Sequence, residues 1–275
     1  WIGGKTSMLK NLLPILESIP HRRFVDVFGG SGLVLLNKKQ VEVETYNDLN
    51  SGLYSLYMCI RDPVLYQELQ LKLSLSPYSR EFHKHCVKSW ETETDLVEKA
   101  ALFFCAVRMS FAGKINKGFG WSVATSTRGM STQTSKYLSA IENLSLVHNR
   151  MKVVQVENID FEKLIKAHDT TETLFYCDPP YVHSTRQCSK CYQHEMTNED
   201  HERLVSTLLS IKGNAVLSGY DHDIYKPLEK AGYVKKQFEV PVKSTRERTG
   251  MKAQEFVWIK GQVENQLSWF NTENN

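Results

Sequence analysis

The sequence lacks the features that would mark a membrane protein or a secreted protein. Its apolar runs, such as residues 24–28 and 100–107, are far shorter than the ~20 residues of a transmembrane helix. No charged segment followed by an apolar signal core opens the chain. Six cysteines are spread over 275 residues, and several lie inside apolar stretches, as expected of small hydrophobic side chains in a reducing compartment. We therefore expect a soluble, cytoplasmic protein.

A strong net charge and two common ligand motifs are also missing. The net charge of +3 is too small to indicate a partner. Residues 26–32 run from an apolar strand into the turn Gly-Gly-Ser-Gly, where glycine lets the backbone approach a ligand closely. This turn has neither the three-glycine spacing of dinucleotide-binding loops nor the Lys-Ser/Thr pair of phosphate loops. It therefore favours neither NAD nor ATP.

The order of predicted elements indicates an α/β protein with a helical interruption. Strands are predicted at residues 24–28, 41–46, 152–156, 173–177, 214–218, 233–240 and 255–260, the last two as an antiparallel pair. Helices are predicted at residues 7–19, 53–60, 64–75, 81–90, 96–109, 134–148, 161–167 and 198–211. Thr197 and Asp200 predict a capping box for the last helix. We assign residues 1–50 and 151–275 to one discontinuous α/β domain and residues 51–150 to an inserted helical domain.

The insert is also rich in positive charge. From residue 108 to residue 152, seven lysines and arginines stand against one acidic residue, Glu142. A second basic run, between residues 235 and 252, includes Arg246 and Arg248. Such runs usually belong to solvated surface, so charge alone makes nucleic-acid contact the minority interpretation.

A distinctive turn, Asp-Pro-Pro-Tyr, occupies residues 178–181 directly after a predicted strand. Open α/β sheets place ligands at the carboxyl ends of their parallel strands. Taken alone, the turn is equally consistent with a rigid diproline turn in which the aspartate caps and the tyrosine packs. The glycine turn and Asp48 lie at two further strand ends and favour a ligand site. Asp48 is placed to bind ribose hydroxyls, with a helix cap before Leu49 as its alternative role.

The order of these motifs is that of a known family. Gly-Gly-Lys near the start, the glycine turn, Tyr46-Asn47-Asp48, a basic helical insert and Asp-Pro-Pro-Tyr follow one another along nearly the whole chain. In this the sequence resembles the D12 class of adenine-specific DNA methyltransferases, the family of DNA adenine methylase. The resemblance implies a Rossmann-like, S-adenosylmethionine-dependent methyltransferase sheet with an inserted helical target-recognition domain. It also implies S-adenosylmethionine as cofactor, S-adenosylhomocysteine as product, and no metal requirement.

The resemblance further implies a set of cofactor-binding residues. They are Trp1, Gly3, Gly4, Lys5, Phe28, Gly29, Gly30, Ser31, Gly32, Asp48, Asp160, Phe161, Asp178 and Tyr192. Trp1 and Lys5 would contact the methionine part of the cofactor, and Asp48 its ribose. Asp160 and Phe161 would flank its adenine.

The implied catalytic residues are those of the diproline turn: Asp178, Pro179, Pro180 and Tyr181. The amine of adenine is a poor nucleophile because its lone pair is delocalised into the ring. The Asp178 carboxylate and the Pro179 carbonyl would accept the two amine hydrogens and direct the lone pair at the methyl group. A base inside a duplex cannot reach such a turn, so the target adenine would be flipped out and Tyr181 would stack on it.

The insert would then bind double-stranded DNA. The candidate DNA-binding residues are Arg108, Lys114, Asn116, Lys117, Phe119, Trp121 and Arg128. Their basic and amide groups are of the kinds that contact phosphates and base edges, and Phe119 or Trp121 would wedge into the vacated base stack. A cognate restriction endonuclease is a candidate second partner, in a bacterial or phage-infected cell.

Two other functions and one metal site remain as alternatives. An amine methyltransferase acting on RNA or on a protein glutamine also uses an Asp/Asn-Pro-Pro-Tyr turn, and an inactive, cofactor-binding regulator would keep the same residues. His183, Cys188, Cys191 and His194 have metal-ligand character. We predict no zinc there, because only one Cys-x-x-Cys pair is present and the spacing is compressed.

Overall fold

The computed structural model describes residues 7–182, 195–241 and 252–261. They divide into two compact units, one of residues 48–158 and the other of residues 7–47 with the described residues from 159 onward. We call them the helical unit and the sheet unit. Trp1, Gly3, Gly4, Lys5 and Tyr192 lie outside the described residues, as do His183, Cys188, Cys191 and His194.

One mixed sheet has the strand order β3-β2-β1-β4-β5-β7-β6. Its strands are β1 Arg23–Asp26, β2 Val43–Asn47, β3 Gln155–Glu157, β4 Thr173–Cys177, β5 Asn214–Gly219, β6 Val234–Pro241 and β7 Lys252–Lys260. β1 pairs in parallel with β2 and β4, and β4 pairs in parallel with β5. β7 runs antiparallel to both β5 and β6. This is the doubly wound order of dinucleotide-binding folds with one antiparallel strand added between β5 and β6.

Helices flank the strands of the sheet unit. They are α1 Leu9–Ser18, α2 Leu33–Asn37, α9 Phe161–His168, α10 Asn198–Ser210 and α11 Lys226–Lys230. A buried core joins Val25, Phe175 and Leu217 of the parallel strands to Leu164 of α9 and Leu208 of α10. Burying such a side chain contributes about 1.5–3 kcal/mol, so this core holds α9 and α10 firmly against the strands. The predicted capping box of Thr197 and Asp200 is confirmed at the start of α10.

The helical unit packs around one buried helix. Its helices are α3 Ser51–Arg61, α4 Pro63–Leu75, α5 Arg80–Ser89, α6 Leu96–Arg108, α7 Thr132–Glu142 and α8 Leu144–Met151, with short 3₁₀ turns at Phe111–Gly113 and Ile115–Lys117. The Asp95 carboxylate accepts a hydrogen bond from the Glu98 amide at 2.8 Å and so starts α6. A Cβ on Gly52 of α3 would lie 2.3 Å from the Phe103 ring of α6. The close approach of these two helices therefore requires glycine.

One predicted helix is wrong in extent. Residues 134–148 were expected to be continuous, but the helix ends at Glu142 and α8 begins at Leu144. Between them, Asn143 accepts a hydrogen bond from the Leu146 amide at 3.2 Å, a three-residue step. Asparagine favours turns over helix interiors, and a three-residue hydrogen bond tightens the helix locally.

None of the helices in the described ranges is long and apolar enough to cross a membrane.

Candidate active site

The site lies where the strand order of the sheet reverses. β1 and β4 are neighbours there, with Asp26 opposite Tyr176, and the Val27 amide donates to the Tyr176 carbonyl at 2.9 Å. β2 lies on the far side of β1 from β4, and β5 lies on the far side of β4 from β1. The glycine turn after β1 and the diproline turn after β4 therefore emerge side by side. In open α/β sheets this switch point is where ligands bind.

Tyr46 of β2 packs against the glycine turn and fixes its conformation. Gly30 and Gly32 have φ values of 52° and 63°, which side-chain-bearing residues rarely adopt. The Tyr46 hydroxyl donates to the Gly30 carbonyl at 2.6 Å. A Cβ on Gly29 would lie only 2.2 Å from the Tyr46 ring. The turn therefore depends on glycine at three positions, and the residues from Phe28 to Ser31 are half-exposed.

Asn47 connects the glycine turn to the segment before α9. Its amide nitrogen donates to the Val27 carbonyl at 2.9 Å and to the Ile159 carbonyl at 3.1 Å, while its amide oxygen accepts from the Ile159 amide at 3.0 Å. The residue is buried, so these bonds are shielded from water. The sequence marks Asn47 only as part of the Tyr46-Asn47-Asp48 motif, because its bridging role depends on contacts with Val27 and Ile159 that lie far away along the chain.

Asp160 and Phe161 are thereby brought to the glycine turn. The ring centroids of Phe28 and Phe161 are 5.6 Å apart. The Asp160 carboxylate begins α9 by accepting from the Glu162 amide at 3.0 Å. The structure thus places two of the predicted cofactor segments together within the sheet unit.

Arg203 of α10 contacts both Asp160 and Phe161, and the sequence analysis did not identify it as a site residue. Its guanidinium donates to both carboxylate oxygens of Asp160 at 3.0 Å, and also to Asp200 and Glu162. It lies 4.3 Å from the Phe161 ring centroid, within cation–π distance. Burial is the largest single influence and raises the pKa of Asp160, but the hydrogen bonds and charge of Arg203, together with hydrogen bonds from the Glu162 and Lys163 amides, lower that pKa overall. The only sequence signal was a basic residue one turn after Asp200.

Asp48 belongs to the helical unit and takes part in the turn before α3. One of its carboxylate oxygens accepts from the Asn50 amide at 2.8 Å. Asn50, rather than Asp48, caps α3 by accepting from the Leu53 amide at 2.9 Å. Asn158 donates to the Asp48 carbonyl at 2.6 Å.

The diproline turn is anchored through its tyrosine. The Tyr181 ring makes an edge-on contact with Tyr220, with centroids 4.5 Å apart. Its hydroxyl donates to Glu255 Oε2 at 3.4 Å. Pro179 is buried, and Asp178 and Tyr181 are half-buried. Tyr220 and Glu255 were not among the predicted site residues.

Carboxylates act on two buried ionisable groups at the switch point. Burial raises the pKa of Tyr176 well above its usual value, and Asp178 adds to this effect, as do Asp26 and Glu255. Burial, followed by Asp26 and Asp178, likewise raises the pKa of the Cys177 thiol well above its usual value. Cys177 therefore stays a neutral thiol, which excludes it as a nucleophile at physiological pH.

The aromatic residues of the helical unit's loop differ in exposure. Phe119 packs against Tyr78, His83 and Arg80, at 5.1, 5.7 and 5.1 Å from its ring. Trp121 is 65% exposed, and so is Phe111 at 59%. Phe111 precedes Ala112, whose φ of 54° is unusual for a residue with a side chain. The sequence did not single out Phe111, because an exposed and a packed aromatic look alike there.

The predicted basic residues of this unit also differ. Lys117 is exposed and Lys114 is half-buried, and the side chain of Asn116 lies outside the described part. Arg128 is engaged by Glu142, with its nearer nitrogen 2.7 Å from the carboxylate. Arg108 lies over the ring of Phe104 at 5.7 Å. The two lysines are therefore more available to a phosphate than Arg128.

No group of three potential metal ligands occurs among the residues that the structure describes. The four cysteines in those residues, Cys59, Cys86, Cys105 and Cys177, are buried free thiols.

The strand order and the two turns at its switch point define a Rossmann-like α/β protein. The family model of the D12 class N6 adenine-specific DNA methyltransferases matches residues 1–247. The chain belongs to this family, and the predicted fold class is confirmed. The chain is therefore a member of a methyltransferase family that has DNA as substrate and S-adenosylmethionine as methyl donor.

Comparison with individual proteins adds little. No curated protein matches the chain. Two structures of the rRNA methyltransferase aviRa from Streptomyces viridochromogenes are similar at 10% identity. One has a TM-score of 0.37 over 90% of this chain and 80% of that one, and the other has 0.36 over 93% and 82%. The fold assignment therefore rests on the strand order and the family match.

Proposed function

We propose that this protein is a site-specific DNA methyltransferase that methylates the N6 amine of an adenine flipped out of duplex DNA. The observation that carries the proposal is the pairing of β1 with β4, which brings the glycine turn and the Asp-Pro-Pro-Tyr turn to one switch point. The family match supports adenine and DNA as the target.

The residues at the switch point fit S-adenosylmethionine. A half-exposed glycine backbone offers close approach, the rings of Phe28 and Phe161 offer an apolar surface for a base, and the carboxylates favour a positive charge. When bound, S-adenosylmethionine supplies a methyl group made electrophilic by its sulfonium. We assign its binding to Phe28, Gly29, Gly30, Ser31, Gly32, Asp160, Phe161 and Asp178, and, through the family resemblance, also to Asp48, Trp1, Gly3, Gly4, Lys5 and Tyr192.

The diproline turn performs the chemistry in this proposal. The Asp178 carboxylate and the Pro179 carbonyl accept the amine hydrogens of adenine, which localises the lone pair and stabilises the positive charge that develops on nitrogen. The proline ring fixes the direction of its carbonyl. Tyr181 stacks on the flipped base. No covalent enzyme intermediate is needed, in keeping with the protonated thiol of Cys177.

The helical unit supplies the DNA contacts. Lys114 and Lys117 are assigned to phosphates, with Arg108, Asn116 and Arg128 as further candidates. Of the two aromatic side chains proposed as wedges, Trp121 is exposed whereas Phe119 is held in an aromatic cluster. We therefore assign the wedge to Trp121, with Phe111 as a second candidate on the same loop.

The proposal is tested by incubating the purified protein with unmethylated genomic DNA and labelled S-adenosylmethionine, followed by sequencing that detects methyladenine. We expect methyladenine in one short sequence context with the wild-type protein, and none with Asp178→Ala, which should still bind DNA. Label in RNA or in a protein substrate instead would favour the other amine methyltransferases. Cofactor and DNA binding without transfer to any of them would favour a regulator.

A further inference from the structure

The strand register places two side chains beside the ring of Tyr181. Gly219 of β5 lies opposite Phe256 of β7. Tyr220 follows Gly219 and Glu255 precedes Phe256, so both come from the same end of this antiparallel pair. β5 is also the parallel neighbour of β4, which leads into the diproline turn.

Two contacts of different kinds then restrict the Tyr181 ring. The edge-on contact with Tyr220, at 4.5 Å between centroids, opposes rotation of the ring plane. The hydrogen bond from the hydroxyl to Glu255, at 3.4 Å, restrains the far end of the ring. Because this distance is long for a hydroxyl donor, its contribution should be modest.

We propose that Glu255 and Tyr220 are positioning residues that hold the Tyr181 ring in the orientation needed to stack on the target adenine. The inference rests on the proposed function, because Tyr181 needs a base to stack on. Neither residue has to touch the reacting atoms. Glu255 acts through the Tyr181 hydroxyl, and Tyr220 acts through the ring itself.

The test is a double-mutant cycle between Tyr181→Phe and Glu255→Ala. Each single change removes the same long hydrogen bond, so each should lower kcat for methyl transfer by roughly twofold to threefold. The double variant should lose no more than the worse single variant. The KM for S-adenosylmethionine should stay within about twofold of wild type, because no cofactor contact changes. Glu255→Gln keeps an acceptor and should retain more activity than Glu255→Ala.

A second readout follows the base directly. Duplex DNA carrying 2-aminopurine in place of the target adenine should fluoresce more strongly with Glu255→Ala than with wild type, because a misplaced Tyr181 quenches a flipped base less. Tyr220→Ala should have the same effect, and Tyr220→Phe a smaller one. Gln254→Ala is the matched control, since Gln254 is the exposed neighbour on β7 and its side chain points to the opposite face of the strand.

The outcomes separate the two proposals. Failure of wild-type protein to methylate duplex DNA overturns the proposed function and this inference with it. Methylation by wild type with additive losses in the cycle, or with equal losses for Glu255→Ala and Gln254→Ala, overturns this inference alone.

Discussion

Arg203 offers a sharp test of the cofactor site, because its contacts can be removed without touching the glycine turn. Arg203→Ala removes the two hydrogen bonds to Asp160 and the cation–π contact with Phe161. The arginine side chain is 39% exposed, so solvent screening limits each ion pair to about 0.2–1 kcal/mol. The cation–π contact adds roughly 0.5–1 kcal/mol. Together they amount to about 1–2 kcal/mol, which is the upper limit of the loss in cofactor binding that can be transmitted through Asp160 and Phe161, so the Kd should rise by at most roughly five- to thirtyfold.

The assay is the Kd of S-adenosylmethionine by calorimetry, with Arg22→Ala as matched control. Arg22 also pairs through two hydrogen bonds, both 2.7 Å, with one carboxylate, Glu42, and reaches a second, Glu172. It lies at the amino end of β1, away from the switch point. Arg22→Ala should leave the cofactor Kd unchanged, while both variants should keep the DNA affinity of wild type. Equal cofactor affinities in the two variants would refute the placement of the cofactor's adenine at Asp160 and Phe161.

The same ion pair has a defined pH signature. Because the folded pKa of Asp160 is lowered, its stabilising effect is present above the unfolded value of about 4 and is lost as the pH falls through the folded value. The difference in thermal stability between wild type and Arg203→Ala should be constant from neutral pH to about pH 5, and should shrink below about pH 4. A difference that already disappears near pH 6 would show that another group is responsible.

Three further predictions follow from single features. Gly29→Ala should destabilise the protein by about 1–3 kcal/mol, because the new Cβ would collide with the Tyr46 ring. It should also weaken cofactor binding. A wild-type melting temperature and a wild-type cofactor Kd would contradict the requirement for glycine in this turn. Cys177→Ala should retain methyl transfer with an unaltered alkaline pH profile, since burial raises the pKa of this thiol well above its usual value, and inactivation would point to a chemical role for sulfur. Lys114→Ala with Lys117→Ala should weaken DNA binding and lower the slope of log K against log salt by about 1–2, one unit per lost phosphate contact, whereas an unchanged slope would remove both lysines from the phosphate footprint.

The sequence predicted the elements of the site better than its connections. The strand ends carrying the glycine turn and Asp178 followed from local patterns, since apolar runs and turn residues act on their immediate neighbours. Arg203 and Glu255 were not predicted, because each contacts a residue more than 40 positions away in the chain. Only the folded sheet brings each of them to its partner. The packing of Phe119 could not be predicted either, because it depends on Tyr78, which lies between α4 and α5, and on His83 of α5.

The position of β7 in the sheet has a consequence for synthesis of the protein. β7 fills the place between β5 and β6, although it is the last of the described strands along the chain. On the ribosome, β5 and β6 must wait unpaired on their facing edges until residue 260 has emerged, and such long-range pairing is slow to form. The same strand carries Glu255 to Tyr181. A nascent chain therefore gains its complete sheet and the contact of Glu255 with Tyr181 in a single late step. Ribosome-bound chains ending before β7 should be the species most dependent on chaperones.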